Sequence, residues 1–305
     1  MIKHFALVAA LAASPVGAQQ EAPVPPSPGE IVAAAAAGEW MRIAPQDLLV
    51  MDLAPDRDGK ARRVVIQLMP PPFSQPWIAN IRTLAKAGWW NGLAIVRTQD
   101  NYVVQWGDPD AEDAARARAL PQGLSRTNEA DYVTTRKSGD ATWFEWANGP
   151  YANHHGFYRG WPIGWMAEAK WPVHCYGSVG VGRNMPPDAG SGAELYTVIG
   201  HAPRHLDRNI ALVGRVIEGI EHLSTLPRGT EALGFYGTPD ERTPIVSIRL
   251  GSDIADLPPY EYLSTDSTTF TRYADARANR RDPFFIVPAG GADICNIPVP
   301  VRRAP

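Results

Sequence analysis

Residues 93–109 read LAIVRTQDNYVVQWGDP, and the fold follows from how this stretch is read. Apolar, partly β-branched runs at 93–96 and 102–104 flank Gln99, Asp100 and Asn101, three residues that favour a turn. The pattern predicts a β-hairpin. Arg97 and Gln105 lie eight residues apart within it, and the block closes on Gly-Asp-Pro.

The flanking sequence is similar in kind. Runs at 48–53 and 63–69, separated by PDRDGK, predict a second hairpin. Further strands are expected at 178–181, 195–199, 211–216 and 245–250. Trp77, Ile81, Leu84 and Ala85 recur at helical spacing, so residues 75–87 predict a helix ended by Gly88. Further helices are expected at 30–37, around 217–225 and at 268–280, the first two short. Residues 109–173, rich in Trp, Gly, Asn and charge, read as a long loop region with at most one short helix near 110–119. Many short strands and few helices make the chain mainly β, an antiparallel barrel or sandwich.

Composition narrows the function. The 305 residues carry 29 basic and 32 acidic side chains, a net charge of −3, which leaves no electrostatic footprint for nucleic acid or an anionic membrane. Lys3 and His4, an apolar run at 5–13, Pro15 and the small residues 16–18 form the pattern of a secretory signal at residues 1–18. As a membrane anchor the run would be about half the roughly 20 residues a span needs. The expectation is therefore a periplasmic or secreted protein with no membrane span. Residues 19–44 then read as a proline-rich linker and short helix. The two cysteines, Cys175 and Cys295, could form one bridge in an oxidising compartment or remain two buried thiols; the bridge is the expectation.

Standard catalytic signatures are missing. There is no G-x-S-x-G elbow, phosphate loop or dinucleotide fingerprint. His201 and His205 are four apart without the Glu of a metalloprotease helix, and the adjacent His154 and His155 make a poor metal pair. No metal and no cofactor are expected.

Three blocks, in order, resemble the cyclophilin family of peptidyl-prolyl cis-trans isomerases. FSQPWIANIRTLAKAGWWNG at 73–92 is similar to the family's helix and its G-Y-Y-x-G exit. Residues 93–109 are similar to the F-x-R-v-x-x-x-F-x-x-Q-G-G-D-P signature. GSVGVGR, ELYTVIGHAPRHLD and ALVGRVIEG, within 177–219, resemble a strand, the Q-F-F-I block, the L-D loop and the F-G-x-V-x-x-G strand. The resemblance implies an eight-stranded antiparallel barrel capped by two helices over residues 45–254. An insertion at 109–176 and a C-terminal extension at 255–305, packed on the barrel, complete the expected organisation.

Carried over residue by residue, the resemblance places Arg97 as the catalytic arginine and Gln105 as the substrate anchor. Tyr102, Val103, Tyr196 and Leu206 fall on the proline pocket, and Gly182 and Arg183 on the edge strand that pairs with the bound peptide. Departures are concentrated at the same place. Glu194 replaces a Gln, His205 stands where cyclosporin-binding members have Trp, and Ile210 replaces a His or Tyr at the rim. The implied activity is prolyl isomerisation of proline-containing polypeptide clients by a monomer. The alternatives are a peptide-binding chaperone or scaffold with weak or lost turnover, and an unrelated barrel with chance similarity.

Overall fold

In the computed structural model of the chain, residues 24–135 and 144–305 are described. The expected signal at 1–18 lies outside them. Eight antiparallel strands form the central sheet. In chain order they are β2 (Leu48–Leu53), β3 (Arg62–Leu68), β4 (Ala94–Thr98), β5 (Val103–Gly107), β10 (Ser178–Val181), β11 (Leu195–Val198), β12 (Leu212–Glu218) and β13 (Ile245–Leu250). Their spatial order is β13-β2-β3-β12-β10-β11-β5-β4. The two edges meet, because Ile245 N–H donates to Leu93 O at 2.8 Å and Gly92 N–H to Ile245 O at 2.9 Å. Such closure removes the exposed edges that an open sheet would present. The expected barrel is present.

Alternation decides what fills it. Leu49, Met51 and Leu53 of β2 and Val64, Ile66 and Leu68 of β3 share the main core with Trp77, Ile81 and Leu84 of α2 (Gln75–Lys86). The second capping helix, α3 (Glu221–Ser224), is a single turn, shorter than the 217–225 expected, because β12 runs on to Glu218. Leu48, Val50 and Val65 point the other way and pack with Ile43, Ile254 and Tyr260. β2 is therefore covered on both faces, which is why its sequence is almost continuously apolar.

That outer cover comes from the chain ends. β1 (Trp40–Ile43), β14 (Tyr260–Leu263) and β15 (Val301–Arg303) form a three-stranded sheet in the order β1-β14-β15. The segment read as linker and helix thus also contributes a strand, and its helix, α1 (Pro28–Ala33), starts two residues early under a Ser27–Glu30 capping box. The helix α4 (Thr268–Ala278) ends within two residues of its expectation.

The reading of 109–173 as loop is corrected. Residues 110–119 hold turns, and four antiparallel strands follow: β6 (Phe144–Gly149), β7 (Ala152–Tyr158), β8 (Trp161–Met166) and β9 (Ala169–Pro172). Phe157 and Val173 pack with Ile31 of α1, Phe270 and Tyr273 of α4, and Ile294 and Ile297, in a second core beside the barrel. The insertion is a sheet because both the barrel, which buries Tyr158, Trp161 and Ile163, and the extension, which covers Phe157, give its apolar side chains something to bury against. Cys175 and Cys295 form the expected disulfide and tie the two together.

Candidate active site

A register shift between Ile95 and Arg97 places Arg97 directly opposite Gln105 across β4 and β5. A bulge of this kind re-aims a side chain, and here it sets the two polar groups side by side. Gln105 in turn faces Tyr196 on β11, and Tyr196 faces Gly180 on β10. One register row across four strands thus carries the cleft. A Cβ at Gly180 would fall within the Tyr196 ring, so glycine is what lets that ring lie flat across the strand.

The cleft has a volume of about 120 Å³ and is lined by Arg97, Tyr102, Val103, Gln105, Gly182, Arg183, Tyr196, Leu206 and Ile210. Nine of the eleven residues expected to act on or touch substrate are brought together there. The other two sit at its margins: His205 stacks on Tyr102 with ring centroids 6.2 Å apart, and Glu194 accepts a 2.9 Å hydrogen bond from Gln105 Nε2.

Arg97 is half-buried and has no ion-pair partner among the described residues. Its Nε donates to Leu233 O at 2.7 Å, Nη1 to Gln105 Oε1 at 3.3 Å and Nη2 to Gln99 Oε1. The Tyr102 and Phe235 rings flank it, at 5.7 and 5.2 Å. Burial pulls its pKa below the usual arginine value, but a guanidinium remains charged at any physiological pH. Leu233 and Phe235 were not anticipated. Leu233 acts through its backbone carbonyl, and Phe235 joins by an isolated bridge to Arg97, so neither leaves a strand or motif in the sequence.

Burial raises the pKa of Glu194; the Gln105 hydrogen bond opposes the shift, and Glu112, Asp108 and Asp188 add to it. A Cβ on Gly182 would meet Glu194 Cβ at 3.0 Å, Glu194 Oε2 at 3.2 Å and Gln105 Nε2 at 3.3 Å. The bare Gly182 and the substituted Glu194 are therefore one packing solution.

A buried network lies behind the pocket. The Tyr196 hydroxyl is 3.0 Å from His174 Nε2, and His174 Nδ1 is 3.0 Å from Asp207 Oδ1. Arg204 Nε donates to Asp207 Oδ2 at 2.7 Å. With an ionised Asp207 as pure acceptor, His174 donates from Nδ1 and its Nε2 accepts from Tyr196. Burial works to raise the Asp207 pKa, yet the hydrogen bond from His174 and the Arg204 charge hold it below the usual carboxylate value. The network pins the L-D loop to the residue preceding Cys175. Asp207 was visible in that loop; His174 carried no signal, since a histidine shows its partners only in three dimensions.

The family model described as cyclophilin type peptidyl-prolyl cis-trans isomerase/CLD matches residues 62–250. The chain belongs to this family. Among solved structures it is similar to the cyclophilin AquaCyp293 from Hirschia baltica, at 21% identity and a TM-score of 0.65 over 86% of this chain and 92% of that one. A cyclophilin-type isomerase from Cryptosporidium parvum, solved in the presence of the dipeptide Ala-Pro, is 12% identical, with a TM-score of 0.39 over 66% of this chain and 98% of that one. No curated protein matches the chain. As a cyclophilin-type peptidyl-prolyl cis-trans isomerase, it carries its family's barrel together with an inserted sheet and a terminal sheet.

Proposed function

We propose that this cyclophilin isomerises X-Pro bonds of exported proteins, with Arg97 stabilising the twisted transition state. The observation that carries the reading is one cleft uniting Arg97 and Gln105 with the apolar pocket of Tyr102, Val103, Tyr196 and Leu206. The X-Pro bond resists rotation because resonance gives it double-bond character, with a barrier of about 18–20 kcal/mol. The two isomers differ by only about 0.5–1 kcal/mol, so a catalyst need act on the barrier alone. Twisting breaks the resonance and returns a lone pair to the prolyl nitrogen. A guanidinium directed at that nitrogen binds the twisted state better than the planar one. Gln105 and the edge at Gly182 and Arg183 hold the substrate backbone, while the pocket grips the ring. No cofactor has a step in this chemistry.

Export is supported by the order of basic, apolar and small residues at the start of the chain and by a disulfide suited to an oxidising compartment. A protease-coupled assay on an X-Pro peptide tests the activity. N-terminal sequencing of the native protein from a periplasmic fraction tests export, with Gln19 expected first; intact Met1 in the cytoplasm overturns it.

One observation favours the peptide-binding chaperone as a second reading. Glu194 places a buried carboxylate against the anchor Gln105. In that case proline peptides bind and turnover is lost.

A further inference from the structure

A cavity larger than the proline cleft lies where the barrel, the inserted sheet and the C-terminal extension meet. It measures about 370 Å³ and shares no lining residue with the cleft. That size falls within the range of small-molecule sites, roughly 300–1,000 Å³. Its walls are mostly apolar: Val173, Leu212 and Val216 on one side, and Ile297, Pro298 and Val299 on the other. Two arginines, Arg215 and Arg277, also line it, and no Asp or Glu does.

Neither arginine has an ion-pair partner among the described residues. Arg215 spends Nε and Nη2 on the amide oxygen of Gln67 and Nη1 on the carbonyl of Gly160, all neutral acceptors. Three of its five N–H groups are thereby used and two remain. Arg277 commits only Nε, to Asn296 O. Trp161, whose ring lies 4.6 Å from the Arg215 guanidinium, is buried, and its indole N–H has no partner among the described residues. Burial without a counter-ion pulls the Arg215 pKa down to about 10. An apolar chamber lined by two guanidinium groups with no carboxylate beside them is complementary to an amphiphilic anion.

We propose that this cavity binds a small organic carboxylate with an apolar body, its carboxylate held by Arg215 and Arg277. The hydrocarbon part lies against Leu212, Val216 and Val299. Tyr176, about half exposed, marks the entrance. Because the walls come from all three parts of the chain, the ligand also fastens the extension to the barrel, and the isomerase cleft is untouched.

Calorimetric titration of the intact mature protein with octanoate, octanol and inorganic phosphate at neutral pH tests this. One octanoate per chain is expected, bound at least tenfold more tightly than octanol, with phosphate weaker than both. Arg277→Gln and Arg215→Gln should each weaken octanoate tenfold or more and leave octanol unchanged. Val299→Phe, which fills the chamber from one wall, should abolish binding of both. Arg215→Gln also loses bonds to Gln67 and Gly160; should it not fold, Arg277→Gln and Val299→Phe decide. Absence of octanoate binding overturns the proposal. So does equal affinity for octanol, unchanged affinity in Arg277→Gln, or full binding by Val299→Phe.

Discussion

Gln105 donates from Nε2 to Glu194 Oε2 at 2.9 Å while its Oε1 accepts from Arg97 Nη1 at 3.3 Å. The anchor amide is thus fixed in orientation, with its N–H side toward a carboxylate and its carbonyl toward the cation. On the proposed reading, substrate backbone shares the N–H side with Glu194, and peptide binding is expected to depend on pH.

Burial raises the Glu194 pKa above its ordinary 4.5 in the folded chain. A raised folded-state pKa contributes stability that is fully present below the unfolded value and lost as pH rises through the folded one. Glu194→Gln should therefore gain stability relative to wild type between pH 4.5 and the raised value, and hold that gain above it. Peptide affinity should follow the same window. An ionised carboxylate repels the peptide carbonyl oxygens, so wild-type affinity falls with rising pH, and Glu194→Gln stays flat and about fivefold tighter near neutrality, the worth of one net hydrogen bond at ~1 kcal/mol. Denaturant melts and peptide titrations of both proteins across pH check this. Parallel profiles would remove Glu194 from the site.

The legible parts of the fold are the apolar runs and the helical period. The runs at 48–53 and 63–69, split by PDRDGK, mark strands buried on both faces, and helical spacing from Trp77 to Ala85 marks a face packed on the main core. The inserted sheet and the terminal sheet carry no such signal. β9 is AKWP, paired locally with β8 through Met166 opposite Ala169, and β15 is three residues long; the terminal sheet gains its order from partners far along the chain, such as Trp40 opposite Leu263 and Tyr262 opposite Val301. In the cleft, the side chains set by strand position were readable. The Leu233 carbonyl and the His174 relay were not, since a backbone acceptor and a buried ring depend on tertiary placement alone.

Removing the Tyr196 hydroxyl separates structure from binding. Tyr196→Phe leaves His174 Nε2 buried without a donor, which costs about 1–3 kcal/mol. The ring still lies over Gly180, so peptide affinity should change little. Equilibrium unfolding and peptide titration on the variant measure both; unchanged stability would show that the relay behind the pocket is not structural.

The disulfide spans 120 residues and joins the strand entry beside His174 to the extension. On the chain-entropy model a loop of that length contributes about 4–5 kcal/mol. Cys175→Ala with Cys295→Ala should lower stability by up to this amount. Denaturant unfolding reads the loss, and thiol titration of the unreduced, denatured wild type should find no free thiol.

Arg97 is the strictest test of the mechanism. Its guanidinium is held by Leu233 O, Gln99 and Gln105, three neutral acceptors, so its charge is not spent on a carboxylate; on the proposed mechanism it serves the prolyl nitrogen. Such a donor acts only in the twisted state. Arg97→Ala should therefore lower kcat/KM by about 10²–10³, equivalent to about 2.7–4 kcal/mol, while peptide affinity stays close to wild type. Arg97→Lys should recover part of the rate at most, because a compact ammonium cannot keep the fork that bonds Gln99 and Gln105 while facing the cleft. Circular dichroism confirms the fold of each variant, and protease-coupled turnover with peptide titration separates rate from binding. An active wild type matched by Arg97→Ala would remove the arginine from catalysis. An inactive wild type that still binds proline peptides would leave the cleft as a binding groove, with Glu194 the first residue to revert.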